Sequence, residues 1–188
     1  MNEKKFTLPN FDKAKFPGQI VLVEKDEHVR EALALLNGEL YIGFDTETKP
    51  SFKKGEFYHV SLLQLASPTH ALLFRLHSLS DFTLIKTFFE NKDVLKIGVA
   101  IRDDLKSLQK LFDFSPMGFV ELSDLARENN LKNFGLKGMT EEVLNLTLSK
   151  KAKLSNWESK ILNFDQRLYA ATDAWIGREL YLALKSEK

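Results

Sequence analysis

Tyr41-Ile-Gly-Phe-Asp45-Thr-Glu47-Thr-Lys-Pro50 is the stretch around which the chain is read. An apolar run from Leu40 to Phe44 ends in two acids spaced i, i+2. Side chains two apart on a β-strand share a face, so a strand over 40–47 aims Asp45 and Glu47 at one point. Like charges that close repel, and one must stay protonated unless a cation sits between them. Hard oxygen ligands suit magnesium or manganese. Two solvated acids at the end of a strand are the bland alternative, and downstream residues must decide between the two.

Composition narrows the classes. The chain has 188 residues, 44% hydrophobic and 28% charged, as expected of one globular domain. Net charge is +1, so any basic surface must be local. There is no cysteine, which excludes a disulfide framework, a thiolate zinc site and a cysteine nucleophile. His28, His59, His70 and His77 show no H-x-x-x-H spacing. No signal peptide or apolar run of membrane-spanning length is seen, so a cytoplasmic address without membrane contact is expected.

Patterning gives the order of elements. Residues 1–19 read as an N-terminal arm that docks a few aromatics, and 20–188 as a single domain. Ile20–Val23 reads as a short strand. Asp26 is placed to cap a helix with Val29, Ala32, Leu33 and Leu36 on one face. After the strand over 40–47, the runs 59–66 and 71–74 read as strands joined by Ser67-Pro68-Thr69. A helix opens at Ser80-Asp81. A strand over 94–99 leads into a helix carrying Leu105, Leu108, Leu111 and Phe112, and Phe119–Leu122 is the last strand. Helices over 123–129, 135–145 and about 164–185 follow. The whole predicts a mixed α/β sandwich. No glycine-rich nucleotide cradle is present.

Two further acidic positions stand out. Asp103 and Asp104 fall in a first helical turn just past the carboxyl end of a strand, where α/β sheets place their sites. On the last helix, Asn163-Phe-Asp-Gln166 resembles a capping box. Leu168, Ala171, Thr172, Trp175 and Ile176 form its expected buried stripe, with Tyr169 and Asp173 stacked four apart on a different face. Four carboxylates (Asp45, Glu47, one of Asp103 and Asp104, and Asp173) can hold two divalent cations. Two metals about 3.5–4 Å apart activate a water and stabilise the leaving oxygen in phosphodiester cleavage. A phenol at Tyr169 would orient or deprotonate that water.

Together these motifs resemble the DEDDy 3′–5′ exonucleases, the ribonuclease D and Werner-type exonuclease group of the ribonuclease H-like superfamily. Gly-Phe-Asp45-Thr-Glu47 matches the first motif and Tyr169-Ala-Ala-Thr-Asp173 the third. Lys96-Ile-Gly-Val-Ala-Ile-Arg-Asp-Asp104-Leu matches the second, and its register selects Asp104. Ser61-Leu-Leu-Gln64-Leu resembles the second strand, and Leu154-Ser-Asn-Trp157-Glu the stretch before the last helix. The resemblance implies a mixed five- to six-stranded sheet with one antiparallel strand and helices on both faces. It implies two divalent cations, Mg²⁺ or Mn²⁺, on Asp45, Glu47, Asp104 and Asp173, with Tyr169 catalytic. It implies a nucleic-acid substrate with a free 3′ end, cut to nucleoside 5′-monophosphates. No helicase or RNA-binding domain is seen attached, and oligomeric state is not legible. A catalytically silent binding module on the same fold is the alternative.

Substrate contacts are expected at Lys150, Lys151 and Lys153, where phosphate neutralisation would make binding salt-dependent. Phe52, Phe57 and Tyr58 could stack on a base. Trp157 and Trp175 are expected in the core.

Overall fold

The computed structural model describes residues 11–53, 55–149, 152 and 154–186; the expected lysine contacts Lys150, Lys151 and Lys153 lie outside the described residues. In chain order the elements are β1 (Asp12–Lys13), β2 (Gln19–Val23), α1 (Asp26–Ala34), β3 (Tyr41–Thr48), β4 (Val60–Ala66) and β5 (His70–Arg75). A short 3₁₀ turn follows, then α2 (Thr83–Phe89), β6 (Leu95–Gly98), α3 (Ile101–Leu108), β7 (Phe119–Glu121) and α4 (Leu122–Glu128). The chain ends with α5 (Leu136–Leu144), β8 (Leu146–Thr147) and α6 (Phe164–Ser186).

Six strands form one sheet in the order β2-β5-β4-β3-β6-β7. Only β4 runs antiparallel to its neighbours, β3 and β5; the other pairs are parallel. This is the mixed α/β sheet with one antiparallel strand that the sequence predicts. All seven residues of β4 are buried, because helices cover both faces and no alternation with solvent remains. One face packs Phe44, Leu63, Leu65, Leu72 and Phe74 against side chains of α1, α2 and α3. The other face carries Ala66 and Ala71 against Ala171 and Ala174 of α6, and Leu62 and Leu73 against Ala170. Leu122 and Ala126 of α4 and Met139 of α5 join the α6 side. No helix among the described residues is long and apolar enough to cross a membrane.

Two local expectations change. Asp26 does not cap α1, whose N-cap is Lys25 with no side-chain bond. Its carboxylate instead accepts the backbone N–H of Ser80 (3.0 Å) and of Asp81 (3.1 Å), holding the segment that leads into α2. Tertiary donors outcompete the local cap because the two amides have no helical partner of their own. The capping box of α6 forms as expected: Asn163 and Gln166 exchange side-chain and backbone bonds at 3.0 and 2.9 Å.

The second change concerns α6. Ala171, Thr172 and Ile176 are buried as expected, but Leu168 and Trp175 are only half-buried. Ala170, Asp173, Ala174 and Gly177 are buried instead. Small residues make this seam because helix and strand backbones touch. A β-carbon added to Gly43 of β3 would land inside the backbone carbonyl of Ala174. Gly43 is therefore there to admit α6, and Asp173 faces the sheet rather than a separate face.

Gly43→Ala is expected to push α6 off β3, costing about 1–3 kcal/mol as an overpacked core does. Urea unfolding measures it; a midpoint equal to wild type would show that the contact is soft.

Candidate active site

The three-residue step from Gly43 to Thr46 sets the geometry. Gly43 and Asp45 share the α6 face of the sheet, and Glu47 follows on that face. Across β4, Asp45 registers with Gln64 and Glu47 with Leu62. Helix α6, seated on Gly43, brings Asp173 down onto the two acids. One carboxylate oxygen from each of Asp45, Glu47 and Asp173 lies within 4.8 Å of the others. Asp173 is 9% exposed. Burial first, and then the charges of Asp173, Glu47 and Asp104, push the Asp45 carboxyl well above its ordinary 3.8. The fully buried Gln64 amide, opposite Asp45, has no hydrogen-bond partner on either atom. A site with crowded charge and an orphaned amide is built to hold something polar.

Asp104 arrives from the other side. It stands on α3, which packs on the opposite face, and its Oδ1 accepts a 2.8 Å bond from Thr46 Oγ. Thr46 lies between the two acids of β3, so it points away from them and towards Asp104. The Asp104 carboxyl is pushed up to about 6 by burial, against the Thr46 bond. Its charge is felt by Asp45, yet it stands outside the group of three. Asp103, its neighbour, turns out to solvent and pairs with Lys106 at 3.7 Å. Of the two, Asp104 is the one that faces β3.

The start of α3 is held by Glu121 at the end of β7. Its two carboxylate oxygens accept the backbone N–H of Ala100 (3.0 Å) and Ile101 (2.9 Å). Ala100 sits at φ +60°, in the left-handed region that costs a non-glycine residue strain. A carboxylate from another strand thus replaces the missing local cap and sets the direction of α3.

Tyr169 lies one turn before Asp173 and is hydrogen-bonded to it. Burial, and then the charges of Asp173 and Glu47, push its phenol above its ordinary value. Without a cation among the acids, this crowding favours the protonated hydroxyl. Trp157, fully buried as expected, backs the ring at 6.1 Å between centroids. Lys49 pairs with Glu158 at 3.4 Å, and Ser61 donates to the same carboxylate at 3.3 Å. These bonds join the loop after β3 to the segment carrying Trp157.

A cavity of about 260 Å³ opens beside the acids, lined by Asp45, Glu47, Val99, Leu136, Tyr169 and Asp173 among others. Phe52, Phe57 and Tyr58 do not line it. Phe57 is 93% exposed, and Tyr58 lies under the Lys49 ammonium at 4.5 Å from its ring centre. Thr46, the cap at Glu121 and the unpaired amide of Gln64 were not legible as site features. Only the strand period, which sends Thr46 to the opposite face, carried a signal.

The donor set fits a divalent cation: the ligands are all oxygen, from three converging carboxylates.

The family profile described as 3′-5′ exonuclease matches residues 20–187. The chain is 34% identical over 197 residues to the mouse bifunctional 3′-5′ exonuclease/ATP-dependent helicase WRN, covering 97% of this chain and 14% of that protein. It is 34% identical over 182 residues to human exonuclease 3′-5′ domain-containing protein 2, covering 88% of this chain and 29% of that one. It thus spans only a small part of either relative. The crystal structure of the Aedes aegypti Nibbler EXO domain superposes with a TM-score of 0.82 at 25% identity, covering 92% of this chain and 91% of that one. Escherichia coli RNase D superposes at 0.78 with 21% identity, covering 89% and 46%, which speaks for the fold. With the profile matched from β2 to the end of α6, the chain belongs to the 3′-5′ exonuclease family, within its ribonuclease H-like group.

Proposed function

We propose that the chain is an active, metal-dependent 3′–5′ exonuclease. It removes nucleoside 5′-monophosphates one at a time from the 3′ end of single-stranded or overhanging nucleic acid. The observation that carries this reading is the convergence of Asp45, Glu47 and Asp173 oxygens within 4.8 Å in a half-buried site. A silent binding module has no use for three acids forced together at this electrostatic cost.

Asp45, Glu47 and Asp173 would hold one divalent cation; Asp45 with Asp104 would hold a second. Mg²⁺ or Mn²⁺ suits these ligands. When bound, such a pair supplies a nucleophilic water and neutralises charge on the leaving oxygen. The protein does the rest. Tyr169 would orient the attacking water through its hydroxyl. Thr46 holds Asp104 in place at the end of β3. Lys150, Lys151 and Lys153 remain proposed phosphate contacts.

Incubation of a 5′-labelled oligonucleotide with Mn²⁺ is expected to give stepwise shortening that stops in EDTA. Asp45→Asn should lose roughly a hundredfold or more of that rate; full activity in the variant would rule out the metal site.

The same substitution carries a stability signature. Because the Asp45 pKa is raised in the fold, the folded state holds its proton more tightly than the unfolded chain. Stability in EDTA therefore falls as pH rises above about 3.8. In EDTA at pH 8, Asp45→Asn is expected to melt higher than wild type, and Mn²⁺ should raise the melting point of wild type only. A lower melting point for the variant in EDTA would show that Asp45 carries no net repulsion.

Tyr169→Phe is expected to lower kcat about a hundredfold with little change in KM. An unchanged kcat would remove the water-orienting role.

A further inference from the structure

Residues 13–16, Lys-Ala-Lys-Phe, precede the stretch matched by the family profile. The structure nevertheless fastens them to the active site. Ala14 and Phe16 are buried while Lys13 and Lys15 are exposed, the alternation of an extended strand with one face anchored. β1 pairs in parallel with β8, and the Ala14 N–H continues the ladder to Thr147 O at 2.9 Å. The Phe16 N–H donates to Thr172 Oγ at 3.1 Å, and its ring meets Trp175 edge-on at 6.1 Å. Thr172 is the residue before Asp173, so the arm is pinned to α6 beside the acidic trio.

The outward side of this arm forms one wall of a second cleft, of about 410 Å³. Its other walls are the segment after β8 and the first turns of α6, and Tyr169 and Asp173 line it too, joining it to the catalytic cavity. Lys13 and Lys15 line the cleft with no ion pair to any described residue. Phe164, the first residue of α6, lines it with 63% of its surface in water. Among the described residues, Asp165 is the one acid in the lining besides Asp173.

Unpaired cations and a bare aromatic ring in one groove suit a ligand with repeated negative charge and flat faces. A single nucleic-acid strand has both: phosphates release counterions to lysines, and any base stacks on a ring. An acidic peptide would meet the lysines but has no use for the ring. We propose that Lys13, Lys15 and Phe164 form a subsite for the nucleotides on the 5′ side of the bond being cut. The lysines hold backbone phosphates and Phe164 stacks on a base. The inference rests on the nuclease reading above and adds to it a substrate contact whose lysines precede the stretch matched by the family profile.

The test uses the full chain as wild type, Lys13→Ala/Lys15→Ala, Lys13→Arg/Lys15→Arg and Phe164→Ala, each checked by melting. Binding of a fluorescein-labelled single-stranded oligonucleotide is followed by anisotropy in Ca²⁺ over a salt series. Turnover of the oligonucleotide and of the p-nitrophenyl ester of thymidine 5′-monophosphate is followed in Mn²⁺. The alanine pair is expected to weaken binding on the order of tenfold and to flatten the log–log salt slope by about 1.4, roughly 0.7 per phosphate lost. The arginine pair should restore both. Phe164→Ala should weaken binding on the order of tenfold with the salt slope kept. The preference for oligonucleotide over ester, which is too short to reach the subsite, should fall in step with binding. Unchanged affinity and salt slope in the alanine pair would overturn the subsite. A wild-type protein that binds the oligonucleotide but cuts neither substrate would overturn the nuclease reading, and the binding series alone would then judge the subsite.

Discussion

Contact between the backbone of α6 and the backbone of β3 at Gly43 is the constraint on which the site depends. No side chain separates the two elements there, since a β-carbon at Gly43 has no room beside the Ala174 carbonyl. Ala170, Ala171, Ala174 and Gly177 keep the seam thin on the helix side, and Ala66 and Ala71 on the sheet side. With large residues in the seam, the helix would ride several ångströms higher and Asp173 would not reach Asp45 and Glu47. A thin apolar seam is weak in buried area, so the rest of the fold must secure it. On the opposite face Phe44, Phe89 and Phe119 pack mutually edge-to-face, with centroids 5.3–6.0 Å apart. Such aromatic contacts add attraction beyond area alone.

This arrangement accepts a standing electrostatic cost. Three carboxylates are pressed together in a partly desolvated site, and the burden falls on Asp45, which all the others raise. Buried polar groups without partners recur where function has been favoured over stability. Gln64, unpaired across from Asp45, belongs to the same pattern. The fourth acid escapes part of the crowding because it approaches over the end of β3 from the other face and is held by Thr46. Its own helix starts under strain at Ala100, relieved by the Glu121 carboxylate bound to two consecutive amides. Strand β7 therefore contributes to the site without touching it.

Legibility followed the range of the interactions. The order and type of the main elements came from period alone, while edges moved by up to four residues, as where α3 ends at Leu108 rather than running on to Phe112. The capping box at Asn163 was readable because both partners lie within three residues. Asp26 was misread because its real partners, Ser80 and Asp81, are more than fifty residues away. The buried stripe of α6 was misread for a different reason. Apolar size marks an ordinary helix face, whereas a helix lying directly on a sheet backbone buries its smallest residues and leaves Leu168 and Trp175 half out.

What the sequence by itself determined is the class of fold and which acids stand as candidates. Strand period aimed Asp45 and Glu47 together, helix period set Tyr169 one turn before Asp173, and the family resemblance picked Asp104 from the acidic pair at a helix start. Only the tertiary structure decided that Asp173 closes on the β3 acids while Asp104 stands apart on Thr46, and that the arm reaches the cleft. The physical reason is that local periods fix only the direction of a side chain along its own element. The distance between elements is set by how thick the side chains between them are, and that is a property of the packed pair.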